Sequence, residues 1–412
     1  MRSVTPTQVD IAIVGGGMVG ASLALALAGT SRSVLVVEAH VPDARDQPSF
    51  DERTTALGNG SRRVFETLGV WPELAPHAVA VREIRVSDAG RAGAARVTAG
   101  EQGLEALGYV VPNRALGRAL WQQLVAHPSI AIRMPARVRE LSFATDAARF
   151  MVDPAGADGA NAREEVEARV VVAADGAQSL VRAAAGIGAE IEDYDQVAVV
   201  VHVATDLPSS GIAYERFTKT GPLAVLPLTN GCYTVVWTLA PERAQQVCAL
   251  DDPSFTAALQ ADFGWRIGRI ARIGARATYP LRLSRAERMT GQRAVLAGNA
   301  AQSLHPVAGQ GFNLGLRDAA LLAELLAAAP DPGAPSVLEN YERRRAADRR
   351  GMIGFTDGLV RLFASERPGF ALARNLGLTM FDVAPGAKRA LSRLSWGFGR
   401  EAPRLLRGLP VE

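Results

Sequence analysis

The chain opens on an apolar run, Val9 to Val14, followed by a glycine cluster (Gly15, Gly16, Gly17, Gly20) and an alanine- and leucine-rich stretch from Met18 to Ala28. A second apolar run, Val34 to Val37, ends in Glu38. Short apolar runs read as buried strands and the longer stretch as a buried helix, so these residues predict a βαβ unit of a parallel sheet with a right-handed crossover. A polar loop is expected between Pro42 and Thr55, then a helix from Asn59 to Leu68 with Gly69 as its stop. Residues 80 to 112 alternate as strands do, and a helix over Arg114 to Ala126 follows. Further strands end in the wholly apolar Val170-Val171-Val172-Ala173-Ala174, before Asp175-Gly176, as a buried parallel strand would.

From about Ile191 to Tyr279 the pattern becomes one of alternating strands (Ala198 to Ala204, Pro222 to Pro227, Cys232 to Thr238), with Asn230-Gly231 as a hairpin turn. This predicts a second, sheet-rich domain. Val295-Leu296-Ala297 returns to the first pattern, a long helix follows Gly309, and the chain is helical and basic from Asn340 through Arg350. The expected fold is α/β. A dinucleotide-type domain is built from residues 1–75, 111–188 and 281–345. It is interleaved with a β-sheet domain over 189–280, joined by strands or an insertion over 76–110, and followed by a helical region over 346–412.

With 412 residues, 48% of them hydrophobic and 21% charged, the chain has apolar material for more than one core and too little charge for a disordered protein. A net charge of +3 without a dense basic stripe argues against a nucleic-acid binder. Cys232 and Cys248 are too few for a disulfide framework or a four-thiolate metal site, which points to a reducing compartment with cytoplasm as the default. Ile11 to Ser31 carries no charge and is long enough for a membrane span, but its glycines break it at turn-like spacing, so no transmembrane helix is expected. Five scattered histidines offer no metal-ligand cluster and no Ser/His/Asp triad.

Gly15-x-Gly17-x-x-Gly20 sits between a predicted strand and helix, the context that gives this pattern meaning. Glycines there permit a tight turn and let backbone N–H groups reach a pyrophosphate at a helix N-terminus. Met18, Val19 and Ala39 flank that site, and Glu38, at the end of the second strand, is placed to accept from ribose hydroxyls. The glycine pattern alone is equally a sharp turn; Glu38 favours the nucleotide.

Two later motifs decide between nucleotides by resemblance. Ala174-Asp175-Gly176-Ala177-Gln178-Ser179-Leu180-Val181-Arg182 resembles the Asp-Gly motif of the flavoprotein aromatic hydroxylases, the para-hydroxybenzoate hydroxylase group. Gly298-Asn299 through Leu304-His305-Pro306 and Gly309-Gln310-Gly311-Phe312-Asn313 to Asp318 resembles their third flavin motif. Together with Asp51 to Leu57 and Gly108 to Arg114, these stretches are most similar to the ubiquinone-biosynthesis branch. The resemblance implies FAD as cofactor, with NAD(P)H and O2 as co-substrates. The implied reaction is ring hydroxylation of a polyprenylated phenol, 2-polyprenyl-6-methoxyphenol in particular.

It further implies that Arg53, Arg114, Asp175, Gly176, Arg182, Asn299, Gly309, Gln310, Gly311, Phe312 and Asn313 hold the flavin, and that His305, Pro306 and Gly309 lie at the reacting centre. Surface ion pairing stands equally beside that reading for Arg53 and Arg114, and a loop histidine bonded to backbone is the plainer reading for His305. Tyr214 is a second candidate for proton transfer. Most of the group has Asp where this chain has Asn299, and commonly His where it has Gln302.

The apolar segments Leu223 to Leu226 and Val235 to Trp237 suit either the wall of a prenyl pocket or ordinary core. Basic residues from Lys388 to Arg407 alternate with Leu391, Leu394, Trp396, Phe398, Leu405 and Leu406. They form either a solvated helix face or a peripheral contact with anionic lipid on the inner face of the cell membrane. The resemblance also admits association with other enzymes of ubiquinone biosynthesis. Another phenolic substrate, or a non-oxygenating FAD-dependent reductase on the same fold, stands as the alternative.

Overall fold

A computed structural model describes residues 6–42, 51, 53–154, 163–364, 370–397 and 402–412. Strand Thr7–Val14 lies between Glu164–Ala173 and Val34–Val37, parallel to both, with Ile11 in register with Val170 on one side and Val34 on the other. Ala294–Leu296 and Ile130–Arg133 extend this parallel set at its two ends. Val34–Val37, Ala294–Leu296 and Val170 to Ala173 are buried at every position. Both faces of the sheet are covered, which is why these strands read as unbroken apolar runs. Helix Met18–Leu27, buried from Gly20 through Leu27, packs against helices Gly311–Ala328 and Asn113–Ala126. That burial accounts for the long uncharged run, and no helix among the described residues is long and apolar enough to cross a membrane.

The second sheet has eight strands, and its middle runs Ile270–Ala286, Ala189–Thr205, Cys232–Leu239, Gly221–Pro227, Ile212–Thr218, Glu83–Asp88 and Ala94–Thr98 in spatial order. All these neighbours are antiparallel except Ile212–Thr218 with Glu83–Asp88, so two strands from early in the chain complete a sheet made mostly of later ones. Ala189–Thr205 and Ile270–Ala286 are each 17 residues long, and the second runs past the expected boundary at 280. Helices Pro241–Cys248 and Asp252–Phe263 supply Val247, Phe255, Leu259 and Phe263 to a core that includes Trp237, Leu223 and Val225 from the sheet.

The polar segment expected up to Thr55 is overtaken at its end by strand Thr54–Gly58, which pairs with Gly108–Pro112 in a three-stranded sheet completed by Val79–Val81. Residues 43–50 and 52 lie outside the described residues.

The C-terminal region forms helices Pro335–Ala364, Phe370–Asp382 and Pro385–Trp396. Of the basic and apolar residues read as either a solvated face or a lipid contact, some turn inward. Lys388 is buried and ion-paired with Asp382 at 3.2 Å and Glu101 at 3.7 Å. Trp396 turns inward to donate to the Leu107 carbonyl at 3.0 Å, and Leu405 and Leu406 are sunk in the main core. Phe398 and Arg400 lie outside the described residues.

Candidate active site

Gly15 has φ +99°, and a Cβ on it would collide with the Ala174 carbonyl, where the turn passes the end of the neighbouring strand. Gly17 then opens helix Met18–Leu27 with no side-chain cap and no acidic residue in the first turn, so the positive end of its dipole suits an anion there. Gly20 does not border the cavity; a Cβ there would overlap the Gly15 carbonyl, so it serves the packing of helix on turn. Buried Glu38 accepts from the Gly16 N–H at 2.6 Å and the His40 N–H at 2.8 Å, which holds its carboxylate beside the turn.

A second bare helix end meets the same space. Gly311–Ala328 starts after Gln310 without a side-chain cap or an early acid, and Gln310 Oε1 is buried without a partner. Gly309, at φ +59°, passes so close to Ala56 that a Cβ would stand 3.0 Å from the alanine methyl. Asn313, expected on the flavin, spends its amide elsewhere. It donates to the Ala56 and Gly309 carbonyls at 2.8 and 2.9 Å and accepts from Gly58 N–H and the Ser61 hydroxyl, tying strand Thr54–Gly58 to the helix. Asn299 does border the cavity, on the turn Gly298–Ala300. The Gly298 N–H and the Gln302 amide both donate to Asp318, at 3.0 and 2.8 Å. Asp318 is fully buried and paired with Arg345 at 2.7 Å.

Asp175 and Gly176 lie on the cavity wall. One Asp175 oxygen accepts from the Leu180 and Val181 N–H groups while the other is buried without a partner, and burial raises the carboxyl's pKa. Arg182 is not on the wall. It donates to the Ala300 and Ala177 carbonyls at 2.9 and 2.8 Å, bracing one cofactor-side turn against the other. Arg53 lines the cavity, paired with Asp51 at 2.5 Å and lying over the Tyr279 ring. Arg114 does not; its neighbour Asn113 does, donating to Asp51 at 3.0 Å.

His305 is also corrected as a reacting-centre residue. Its ring is buried off the cavity, Nδ1 accepts from the Val307 N–H at 3.1 Å, and it meets Tyr194 edge-on. Burial pushes its pKa down to about 4, so it is neutral at ordinary pH. Pro306 and Gly309 do face the cavity. Tyr214 directs its hydroxyl to the Arg266 carbonyl at 3.5 Å and packs its ring on Phe263.

One continuous cavity of about 1310 Å³ connects these groups. It runs from Gly15, Glu38 and Ala39 past Met18, Val19 and Gly309 to Phe312, and on to one face of the eight-stranded sheet. The apolar segments there divide by strand alternation. Ala224, Leu226 and Val236 face the cavity, while Leu223, Val225, Val235 and Trp237 fill the core behind. The far wall carries Phe355, Leu359 and Phe363 from helix Pro335–Ala364, and Trp396. Glu215 stands on the sheet face; sequence reasoning singled out its neighbour Tyr214, and the signal for Glu215 was an acid inside an apolar alternation. Two bare helix N-termini, an acid beside the first, an orphaned amide oxygen beside the second and room for a large molecule together fit a dinucleotide cofactor.

Residues 8–356 match the family described as FAD binding domain. The chain is 38% identical over 410 residues to a ubiquinone hydroxylase, UbiL, of Rhodospirillum rubrum, covering 98% of this chain and 93% of that protein. It is 34% identical to the 3-demethoxyubiquinol 3-hydroxylase of Escherichia coli, covering 95% of this chain and all of that one. Among solved structures, p-nitrophenol 4-monooxygenase PnpA from Pseudomonas putida shares the fold with a TM-score of 0.77 at 20% identity, over 96% of this chain and all of the other. The chain belongs to the FAD-binding aromatic hydroxylase family, in the branch that holds the ubiquinone hydroxylases.

Proposed function

We propose that this monooxygenase hydroxylates the ring of a polyprenylated phenol in ubiquinone biosynthesis, specifically 2-polyprenyl-6-methoxyphenol. The observation that carries the reading is the single cavity: a nucleotide cradle at one end opens without a partition onto an apolar sheet face and an aromatic wall, where a ring with a hydrocarbon tail is desolvated beside the flavin. Bound FAD supplies the redox chemistry, taking electrons from NAD(P)H and activating O2. The chain's own residues bind and orient.

The amides of Gly17 to Val19, with Glu38, would hold the pyrophosphate and ribose. The N-terminus of helix Gly311–Ala328 would face the electron-accepting ring edge, where its dipole favours negative charge. Arg53, Asp175, Gly176 and Asn299 would complete the flavin's surroundings. Phe355, Leu359 and Phe363 exclude water from the reacting end.

A lipid surface is the natural source of such a substrate, and helix Phe370–Asp382 is suited to meet one. Its inner face gives Leu378 and Phe381 to the cavity while Leu376 and Met380 are 54% and 69% exposed, continuing to Val383 at 74%. Arg389 and Arg393 are exposed on the next helix and suit anionic headgroups. The experiment is mass spectrometry of quinone precursors in aerobically grown cells lacking this protein. A polyprenyl-methoxyphenol accumulates and ubiquinone is lost, both restored by the intact gene but not by Gly17→Val. Accumulation of a demethoxyubiquinol instead would move the ring position, and normal ubiquinone would move the substrate to another phenol.

A further inference from the structure

The cavity face of the second sheet is apolar around one acid. Glu215 on Ile212–Thr218 is opposite Ala224 on one neighbouring strand and Val86 on the other, with Ala213 and Phe217 two positions away along its own strand. All five border the cavity. Glu215 Oε1 is buried and has no hydrogen-bond partner, and no cation answers the carboxyl. The adjacent basic residues point to the opposite face: Arg216 donates to the Asp262 carbonyl, and Arg85 pairs with Glu83 and lies over the Tyr214 ring. Charged groups on the elements packed against this face are engaged with one another, Asp88 with Arg91 and Arg374, and Asp357 with Arg361 and Tyr194. Desolvation alone acts on Glu215 and pushes its pKa up to about 8.

Glu215 is half-buried, and a ligand that fills the cavity and seals its carboxyl among aliphatic side chains is penalised unless it brings a partner. Nothing among the described residues provides one. A ligand with a single polar group on an otherwise apolar body would.

We propose that Glu215 receives the phenolic hydroxyl of the substrate, fixing the ring on the sheet face by that hydrogen bond and accepting the phenolic proton. This rests on the phenol reading given above. In the step the phenol O–H bond breaks, an O–H bond forms at the Glu215 carboxylate, and the electron pair stays on the phenolate oxygen to enrich the ring. The proton returns from Glu215 to that oxygen as the hydroxylated ring loses its ring-carbon proton to solvent and becomes aromatic again. A carboxyl held close to neutral pH is a stronger base than an exposed one, closer to matching a phenol.

The test uses the FAD-loaded enzyme with 2-geranyl-6-methoxyphenol, its O-methyl ether, and the Glu215→Leu and Glu215→Gln variants, reading equilibrium binding by calorimetry and turnover against pH. Wild type binds the phenol about tenfold more tightly than the ether. Glu215→Leu abolishes that preference. Glu215→Gln keeps the preference but loses on the order of 10² to 10⁴ in kcat, together with the acid-side limb of the pH profile. A wild type that does not prefer the phenol, a Glu215→Leu enzyme that keeps the preference, or a Glu215→Gln enzyme with wild-type kcat and pH profile overturns the proposal. Should Glu215→Leu not fold, the Gln variant decides alone. Discrimination in binding without hydroxylation of the probe would sink the substrate reading while leaving Glu215 as the hydroxyl's partner.

Discussion

Gly298 and Asp318 are joined by a 3.0 Å hydrogen bond across 20 positions of sequence, and through it a buried carboxylate holds the turn that carries Asn299 to the cavity. Asp318 answers Gln302 and Arg345 as well. Negative charge behind this turn therefore comes from the helix rather than from position 299.

Asp318→Asn should be among the most damaging isosteric changes in the chain. It leaves Arg345 short of a charge in a buried setting and loosens Gly298, so a loss of about 3–5 kcal/mol is expected. Denaturant unfolding of the FAD-free protein measures it, and FAD affinity measured by flavin fluorescence should fall in parallel.

At the first glycine turn, Gly15→Ala needs a backbone shift because both its φ of +99° and the Ala174 carbonyl exclude a methyl. FAD affinity should drop at least about 100-fold, roughly the 2.7 kcal/mol of a moderately strained backbone. Purification of the variant with its full complement of FAD would contradict the geometry.

His305→Gln should leave turnover and its pH profile intact, because the ring is off the cavity. Its effect belongs to stability. The histidine's pKa falls from 6.5 to about 4 on folding, so its contribution is fully present above pH 6.5. It declines as pH falls toward 4, by about 1.4 kcal/mol per unit. Thermal unfolding between pH 4 and 7 should be less pH-sensitive in the variant.

For Glu215 the sign is reversed. Its carboxyl is protonated in the folded protein up to about pH 8 but ionises near 4.5 when unfolded, so stability falls as pH rises between those values and is flat above. In the FAD-free protein Glu215→Gln should therefore raise Tm, and raise it more at pH 8 than at pH 5. An equal gain at both would mean that the carboxyl has a partner after all.

Met380→Glu combined with Val383→Glu should weaken sedimentation with vesicles of anionic phospholipid about tenfold or more, since acidic residues on such a face lose apolar contact and meet like charge. Turnover of a short-chain phenol in detergent-free buffer should not change, because both side chains are on the outer face.

The flavin cradle was legible because glycine leaves a signature wherever backbone must approach backbone, and because strands buried on both faces have to be continuous in Val, Ile and Ala. Gly15, Gly17, Glu38 and Gly309 could be read for those reasons. Arg182 and Asn313 were also visible, but their motif says only that they are needed; the structure shows them bracing turns through carbonyl groups. Glu215 was hidden by register. Both residues border the cavity, but that the Tyr214 hydroxyl turns to the Arg266 carbonyl while the Glu215 carboxyl stays unpartnered depends on which side of the sheet helices Pro241–Cys248 and Asp252–Phe263 cover, a relation between distant segments that a strand's own alternation does not contain. Strand Thr54–Gly58 was missed likewise, since its pairing partner is Gly108–Pro112.

The position of Ala294–Leu296 beside Glu164–Ala173 has a consequence for how the chain is made. Until that short segment is synthesised, Val171 to Ala173 have no strand partner on that side of the parallel sheet, and the cradle lacks the turn at Asn299 and the second helix end. At ordinary ribosome speeds the interval between the two strands is on the order of ten seconds. The nascent protein therefore carries an incomplete half-site through that interval, and flavin can lock the two halves together only once Ala294–Leu296 and the helix that follows have been made.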